Sequence, residues 1–288
     1  MSITPTITQF CHQTWQIEST VLLVQESDNQ IYVVTEKTPF HPVSHIWPDH
    51  PADRGTLNGV EVEDCLVGAV ELESNTLYVG KAIPAKRDEP GWAFVVVHVL
   101  AKAHLAIEEA QVVTLQVDKE YQDSLSRGHS AGHIAYLALN KVLVEGAYWR
   151  KDADRKDPHG YYDFNSYAQE TSFVSEDKCL DTYRLGKTLR KRGLNSADVL
   201  TDLKTIEEQV NRQINQWLNL DSVIKVECHG ECLTDSRYWQ CDLNEKSIAE
   251  IPCGGTHASS LTEFDEILVT LAQIDAQNIE MHTDVKGK

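Results

Sequence analysis

Between residues 199 and 217 the apolar side chains Val199, Leu203, Ile206, Val210, Ile214 and Trp217 recur every three or four positions. That spacing lines all of them along one helical face, with Ser196 standing where an N-cap would. A helix with one apolar face must bury it, so this stretch constrains the fold more than any other. Strand-like segments follow at 223–226, 238–243, 247–251 and 267–271, rich in β-branched and aromatic residues. Ahead of it, residues 112–118 alternate so that Val113, Leu115 and Val117 share one side, as in a half-buried strand. Ser124 or Ser126 then offers a cap for a helix expected to run to about Tyr148. Helices beside largely consecutive strands predict an α+β fold with helices packed on an antiparallel sheet.

The first ninety residues read differently. Short runs at 21–24, 31–34 and 76–79 are separated by polar turns, among them Asp28-Asn29 and the hairpin pair Asn58-Gly59. A stretch of Pro, Lys, Arg and Gly at 82–91 marks a boundary, so domains of 1–90 and 91–288 are expected. A length of 288 residues fits about two domains. No internal repeat is visible, which argues against an array fold. With 26 Lys+Arg against 44 Asp+Glu the net charge is −18. Broad nucleic-acid coating needs the opposite field, and an anionic membrane would repel the chain. The longest apolar stretch, 92–107, is broken by His98, Lys102 and His104 and is too short to span a bilayer. No secretory signal is seen at the start, and seven scattered cysteines read as reduced thiols, so a cytoplasmic location is expected.

His129 and His133 stand four apart within the predicted helix, in Arg127-Gly128-His129-Ser130-Ala131-Gly132-His133. Positions i and i+4 lie above one another, so both imidazoles can reach one ion. Gly128 and Gly132 each cost about 1 kcal/mol against Ala in a helix, which implies close approach of a neighbouring backbone. Farther on, Ile251-Pro252-Cys253-Gly254-Gly255-Thr256-His257 offers a thiol and an imidazole around two glycines, which permit positive φ and a tight loop. A helical pair and a loop pair make a His3Cys set, suited to zinc. Each pattern alone is common, and the two together are specific.

These residues carry a resemblance. His129-Ser130-Ala131-Gly132-His133 followed by Cys253-Gly254-Gly255-Thr256-His257 resembles the alanyl-tRNA editing protein family, free-standing relatives of the alanyl-tRNA synthetase editing domain. That family shares a fold with the editing region of bacterial threonyl-tRNA synthetase. The strand at 113–118, the segment Thr35 to Pro42 and Asp53-Arg54-Gly55 are similar to the family in the same order, so nearly the whole chain is covered. The resemblance implies an N-terminal β-barrel-like domain, an α+β editing domain and zinc-dependent hydrolysis of mischarged tRNA in trans, chiefly seryl-tRNA(Ala). It also implies a substrate pocket to which His50, Asp53 and Arg54 contribute. One departure stands out. The family's glycine-rich segment ending Gly-Gly-Gln-Pro is replaced by residues 43–52, with His50 where the glutamine would be.

The chemistry has its own logic. Zinc polarises an ester carbonyl and lowers the pKa of a bound water to about 7. A catalytic ion keeps a position open, so Cys253 or His257 is expected to be the looser ligand. Thr256 would offer a hydroxyl, and the amides of Gly254 and Gly255 would face a developing oxyanion. A plain turn accounts for the same three residues equally well. Lys178, Arg184, Lys187, Arg190, Lys191 and Arg192 oppose only Asp181 within 178–192, a net +5. Arg184, Lys187, Arg190, Lys191 and Arg192 are the candidate contacts to tRNA phosphates, against a solvated helical face. Lys86 and Arg87 are a smaller candidate of the same kind. Tyr161, Tyr162 and Phe164 could stack on a terminal adenine, with core placement the first expectation. Cys228-His229-Gly230-Glu231-Cys232, with Cys241 beyond, fits no zinc ribbon and reads as buried thiols. The deaminase-like His229-Gly230-Glu231 is rejected because Thr256 stands where the second cysteine of Pro-Cys-x-x-Cys is needed. A non-catalytic tRNA-binding or structural-zinc protein, or a zinc hydrolase of another aminoacyl ester or amide, remain alternatives.

Overall fold

Short β-branched runs form strands only where a turn or a distant segment supplies a partner, and the computed structural model of the chain supplies those pairings. It describes residues 3–27, 29–102 and 107–288. Met1 and Ser2 of the N-terminal reading, Asp28 of the Asp28-Asn29 turn and His104 of the 92–107 stretch lie outside the described residues. The described chain divides into two units. One runs through Asp123 and takes in Cys228–Arg237 and Gly254–Thr256. The other holds Ser124–Glu227, Tyr238–Cys253 and His257–Lys288.

In the first unit, β1 (Ile7–Thr8) pairs in parallel with β4 (Lys37–Thr38). The remaining strands are β2 (Gln16–Glu26), β3 (Gln30–Thr35), β5 (Gly55–Leu57), β6 (Val60–Glu61), β7 (Asp64–Glu71), β8 (Thr76–Val79), β9 (Trp92–Ala101) and β10 (Val112–Val117). They form one antiparallel sheet in the order β6-β5-β10-β2-β3-β9-β7-β8. The end strands β6 and β8 do not pair with each other, so the sheet is open and the expected barrel is not closed. The expected boundary at 90/91 falls just before β9, which lies between β3 and β7 in this sheet. Asn58 (φ 49°) and Gly59 (φ 79°) both adopt the left-handed conformation of a two-residue hairpin turn, as their pairing predicts. Val21, Val33, Val96, Leu100, Val113, Leu115 and Val117 share one buried cluster, which confirms the inward face read for β10.

The helix carrying the histidine pair, α1 (Lys119–Glu145), begins five residues before Ser124. Neither Ser124 nor Ser126 caps it. Asp118, the last residue of the strand motif, accepts from Tyr121 N at 3.2 Å and does so instead. Downstream come α2 (Phe164–Ala168), β11 (Gln169–Ser175), β12 (Lys178–Arg184) and α3 (Lys187–Lys191). The predicted amphipathic helix is interrupted at Asp202 into α4 (Ser196–Thr201) and α5 (Leu203–Leu218), and Asn195 stands before it as N-cap, with Ser196 the first helical residue. Val199, Ile206, Val210, Ile214 and Trp217 are buried as the periodicity requires. The chain ends with β13 (Ile224–Cys228), β14 (Arg237–Cys241), β15 (Ala249–Pro252), β16 (Phe264–Gln273) and β17 (Asn278–Gly287).

These strands make a sheet β11-β12-β17-β16 and a smaller one β13-β14-β15, so the fold is α+β and mostly antiparallel. Strand β16 is an edge, and α5 satisfies it with side chains. Asn211 donates to Val269 O and accepts from Val269 N, both at 2.7 Å, while Glu207 accepts from Leu271 N at 2.9 Å. The segment 178–192 is a strand and a short helix, not one helical face. Cys179, Asp181 and Tyr183 turn inward at every second residue, and β12 pairs with both β11 and β17. Phe164 is buried, as the core expectation has it. No helix among the described residues is long and apolar enough to cross a membrane.

Candidate metal centre

The histidine pair is set by the helix, and the helix by its glycines. A Cβ on Gly128 would lie 2.6 Å from the Lys178 carbonyl oxygen and 2.8 Å from that of Ser175. The same atom on Gly132 would meet Cys179 Sγ at 2.9 Å. These contacts explain two residues that helix propensity disfavours: α1 lies directly on β12. With α1 held there, His129 and His133 have ring centroids 4.9 Å apart.

The loop after β15 brings the other two donors. Its anchor is Ser130, between the two histidines and fully buried. Ser130 Oγ accepts from Ala258 N at 3.0 Å and lies 3.3 Å from His257 Nδ1. Ala258 N also reaches the Ser126 carbonyl at 3.3 Å. The His257 ring is thereby placed 4.4 Å from His129 and 5.2 Å from His133. Cys253 Sγ is 3.4 Å from His129 Nε2. One ligand atom from each of His129, His133, Cys253 and His257 lies within 4.8 Å of all the others.

Those distances suit a tetrahedral ion. Bonds of about 2.3 Å to sulfur and 2.0–2.1 Å to nitrogen imply ligand–ligand edges of about 3.3–3.6 Å. His133 adds an independent sign. Its Nε2 is buried and has no hydrogen-bond partner among the described residues, an arrangement that costs free energy unless something else is coordinated there. Burial lowers its pKa to about 4, so it is a neutral imidazole, the form that binds metal. Trp239, fully buried, walls it at 5.2 Å between ring centroids. Sequence reading missed Ser130 and Trp239. Ser130 is signalled by its place between the two histidines, whereas nothing local marks Trp239.

The other candidate residues separate by unit. In the first, His50, Asp53 and Thr256 are all buried. His50 Nδ1 is 2.8 Å from the Pro51 carbonyl, which can only accept, so this nitrogen carries the proton. Nε2, 3.1 Å from Thr256 Oγ, therefore accepts from the threonine hydroxyl. Burial lowers His50 to about 4 and keeps it neutral. Asp53 accepts from His41 N at 2.7 Å and from Gln122 Nε2 at 2.6 Å, yet burial pushes its pKa up to about 7. Arg54 lies over the Tyr121 ring, 4.0 Å from its centroid. Gly254 has open space around its Cβ position, and neither Gly254 nor Gly255 has a positive φ, contrary to the expected reason for the glycine pair.

The basic residues lie on β12, on α3 and just beyond it. Arg184 pairs with Glu170 at 3.3 Å and Arg192 with Asp154 at 3.2 Å, while Lys187, Arg190 and Lys191 are exposed. Tyr162 hydrogen-bonds to Asp152 and lies under Lys156 Nζ at 3.6 Å, occupied within the protein.

Comparison with known proteins gives the same direction. The chain is 25% identical over 235 residues to the alanyl-tRNA editing protein AlaX-M of Pyrococcus horikoshii, covering 82% of this chain and 77% of that one. The chain is therefore similar to the alanyl-tRNA editing proteins. It is also 25% identical over 217 residues to the alanine–tRNA ligase of Akkermansia muciniphila, and 24% over 173 residues to that of Lactobacillus acidophilus. The matches span only 17% and 16% of those ligases. No family model matches the chain.

Proposed function

We propose that this chain is a metal-dependent deacylase that removes a wrong amino acid from tRNA, with seryl-tRNA(Ala) as its first substrate. The observation that carries this reading is the convergence of His129, His133, Cys253 and His257 on one point, in a chain similar to an editing protein over most of its length. These four residues would hold zinc. When bound, zinc supplies Lewis acidity toward an ester carbonyl and activates water near neutral pH.

The chain's own groups do the rest. Ser130 fixes the His257 ring, and Trp239 keeps solvent from His133. Thr256, its proton committed to His50, acts toward a substrate as a hydrogen-bond acceptor and so favours a seryl hydroxyl over an alanyl methyl. His50 takes the place of the family's glutamine in this arrangement. Asp53 and Arg54 shape the same loop, Asp53 by bonding the His41 amide. Gly254 and Gly255 offer amides for the charge that develops on the carbonyl oxygen. Lys187, Arg190 and Lys191, with Arg184 and Arg192, would hold acceptor-end phosphates. That grip is confined to one segment of an acidic protein, and it suits a proofreader that must release most tRNAs. Reduced thiols and the tRNA substrate fit a cytoplasmic location.

Deacylation of seryl-, glycyl- and alanyl-tRNA(Ala), with and without chelator, tests the reading. Seryl-tRNA hydrolysis lost to chelator and restored by zinc is expected, and His133→Ala should lose both metal and hydrolysis. If no charged tRNA is hydrolysed in a chelator-sensitive way, the enzyme reading fails and a binding or structural-zinc protein takes its place. Hydrolysis confined to another aminoacyl ester or amide would overturn the substrate assignment alone. Unchanged metal content in His133→Ala would overturn the ligand set.

A further inference from the structure

Cys228, read from sequence as a buried thiol, has company from the far end of the chain. Leu233 N donates to Thr6 O at 3.0 Å and Thr8 N to Glu231 O at 2.8 Å, an antiparallel bridge that sets Ile7 opposite Cys232. A 3-10 turn at Phe10–His12 follows, ended by Gln13 at φ 53°. The result is Cys11 Sγ 3.6 Å from Cys228 Sγ. A ring nitrogen of His12 lies with both sulfurs in one group whose atoms are all within 4.8 Å.

We propose that Cys11, His12 and Cys228 form a second metal site, for a thiophilic divalent cation of the zinc class. Two thiolates about 2.3 Å from a tetrahedral ion stand about 3.8 Å apart, close to the sulfur–sulfur distance found. His12 is exposed and the two cysteines half-buried, so the site is reachable from solvent. Three protein ligands leave the fourth position exchangeable. Arg237 borders the cluster. Its guanidinium donates to Thr8 Oγ1 at 2.6 Å and to the Cys232 carbonyl at 2.8 Å, while burial and then Cys228 push the Cys11 pKa up to about 11, a rise that Arg237 only partly opposes. Fixed beside Cys11, it offsets thiolate charge from outside the ligand set. This site shares no residue with His129, His133, Cys253 and His257 and does not depend on the function proposed for them.

The test compares full-length wild type, Cys11→Ser, Cys228→Ser and His12→Ala, all reduced, in titrations with Zn2+ and Co2+. Wild type is expected to hold one more equivalent of metal than either serine variant. The near-ultraviolet thiolate-to-cobalt band should fall in both variants, by about two thirds if the His3Cys centre is also filled, since two of three sulfur ligands are lost. His12→Ala, at an exposed position, should retain the band with metal affinity at least roughly tenfold weaker. In wild type, Zn2+ should slow alkylation of Cys11 and Cys228, read peptide by peptide. Equal stoichiometry and equal band intensity across wild type and the serine variants would overturn the proposal. So would alkylation unaffected by Zn2+, or a Cys11–Cys228 disulfide in a protein that gains no metal on reduction.

Discussion

Ser130→Ala separates a positioned metal ligand from a merely packed one. Ser130 Oγ accepts from Ala258 N at 3.0 Å and lies 3.3 Å from His257 Nδ1. Truncation removes both contacts. Ala258 N keeps its 3.3 Å bond to the Ser126 carbonyl, so no buried amide is abandoned and the metal-free protein should lose only about 1 kcal/mol. The larger effect falls on the ion. Without the hydroxyl the His257 ring loses its contact at Nδ1, and loss of such an outer partner weakens metal affinity roughly 10–100-fold. That range corresponds to about 1.4–2.7 kcal/mol. Zinc competition against a chromophoric chelator at fixed pH measures the affinity, and thermal unfolding of the metal-free proteins measures the packing cost. The variant should therefore lose more stability when metal-loaded than when metal-free. Affinity within about threefold of wild type, alongside the expected loss of metal-free stability, would refute the reasoning. Ser130 would then only hold the loop.

Two further outcomes follow from the same structure. Gly128→Ala gains about 1 kcal/mol of helix propensity but drives a methyl into immovable backbone, an overpacking cost of about 1–3 kcal/mol. It should lower the denaturant midpoint more than Gly132→Ala, whose nearest obstacle is the Cys179 side chain, and equal midpoints would show that α1 does not bear on β12 as described. Asp53 has its carboxyl raised from 3.8 to about 7 by burial. Such a group stabilises the fold fully below its unfolded pKa, and that stability is lost as pH rises through the folded value. Asp53→Asn should gain about 2–3 kcal/mol relative to wild type between about pH 5 and about pH 8, read by denaturant titration. Parallel stability curves for the two proteins would contradict the assignment.

The sequence by itself determined whatever depends on neighbours along the chain. Period-three-and-four apolar spacing placed the helices at 196–218, because one helical face must be buried whatever covers it. Asn58-Gly59 specified its hairpin, because the turn demands two left-handed residues. His129 and His133 were legible as a pair because helical geometry fixes positions i and i+4. Their union with Cys253 and His257 was legible only through chemistry, since no local rule joins segments 120 residues apart. Tertiary structure decided the rest. Strands β11, β12 and β17 carry many polar residues and become strands by pairing with one another and with β16. The eight-stranded sheet stays open because its end strands β6 and β8 find no partner in each other, a long-range outcome that strand propensity does not encode. Asp118 displaced the serines as the cap because the strand delivers it to the start of α1. Ser130 and Trp239 owe their roles to what lies across from them. Cys11 and Cys228, 217 positions apart in sequence, meet because backbone bonds tie Thr6 and Thr8 to Leu233 and Glu231, a long-range pairing that no local rule encodes.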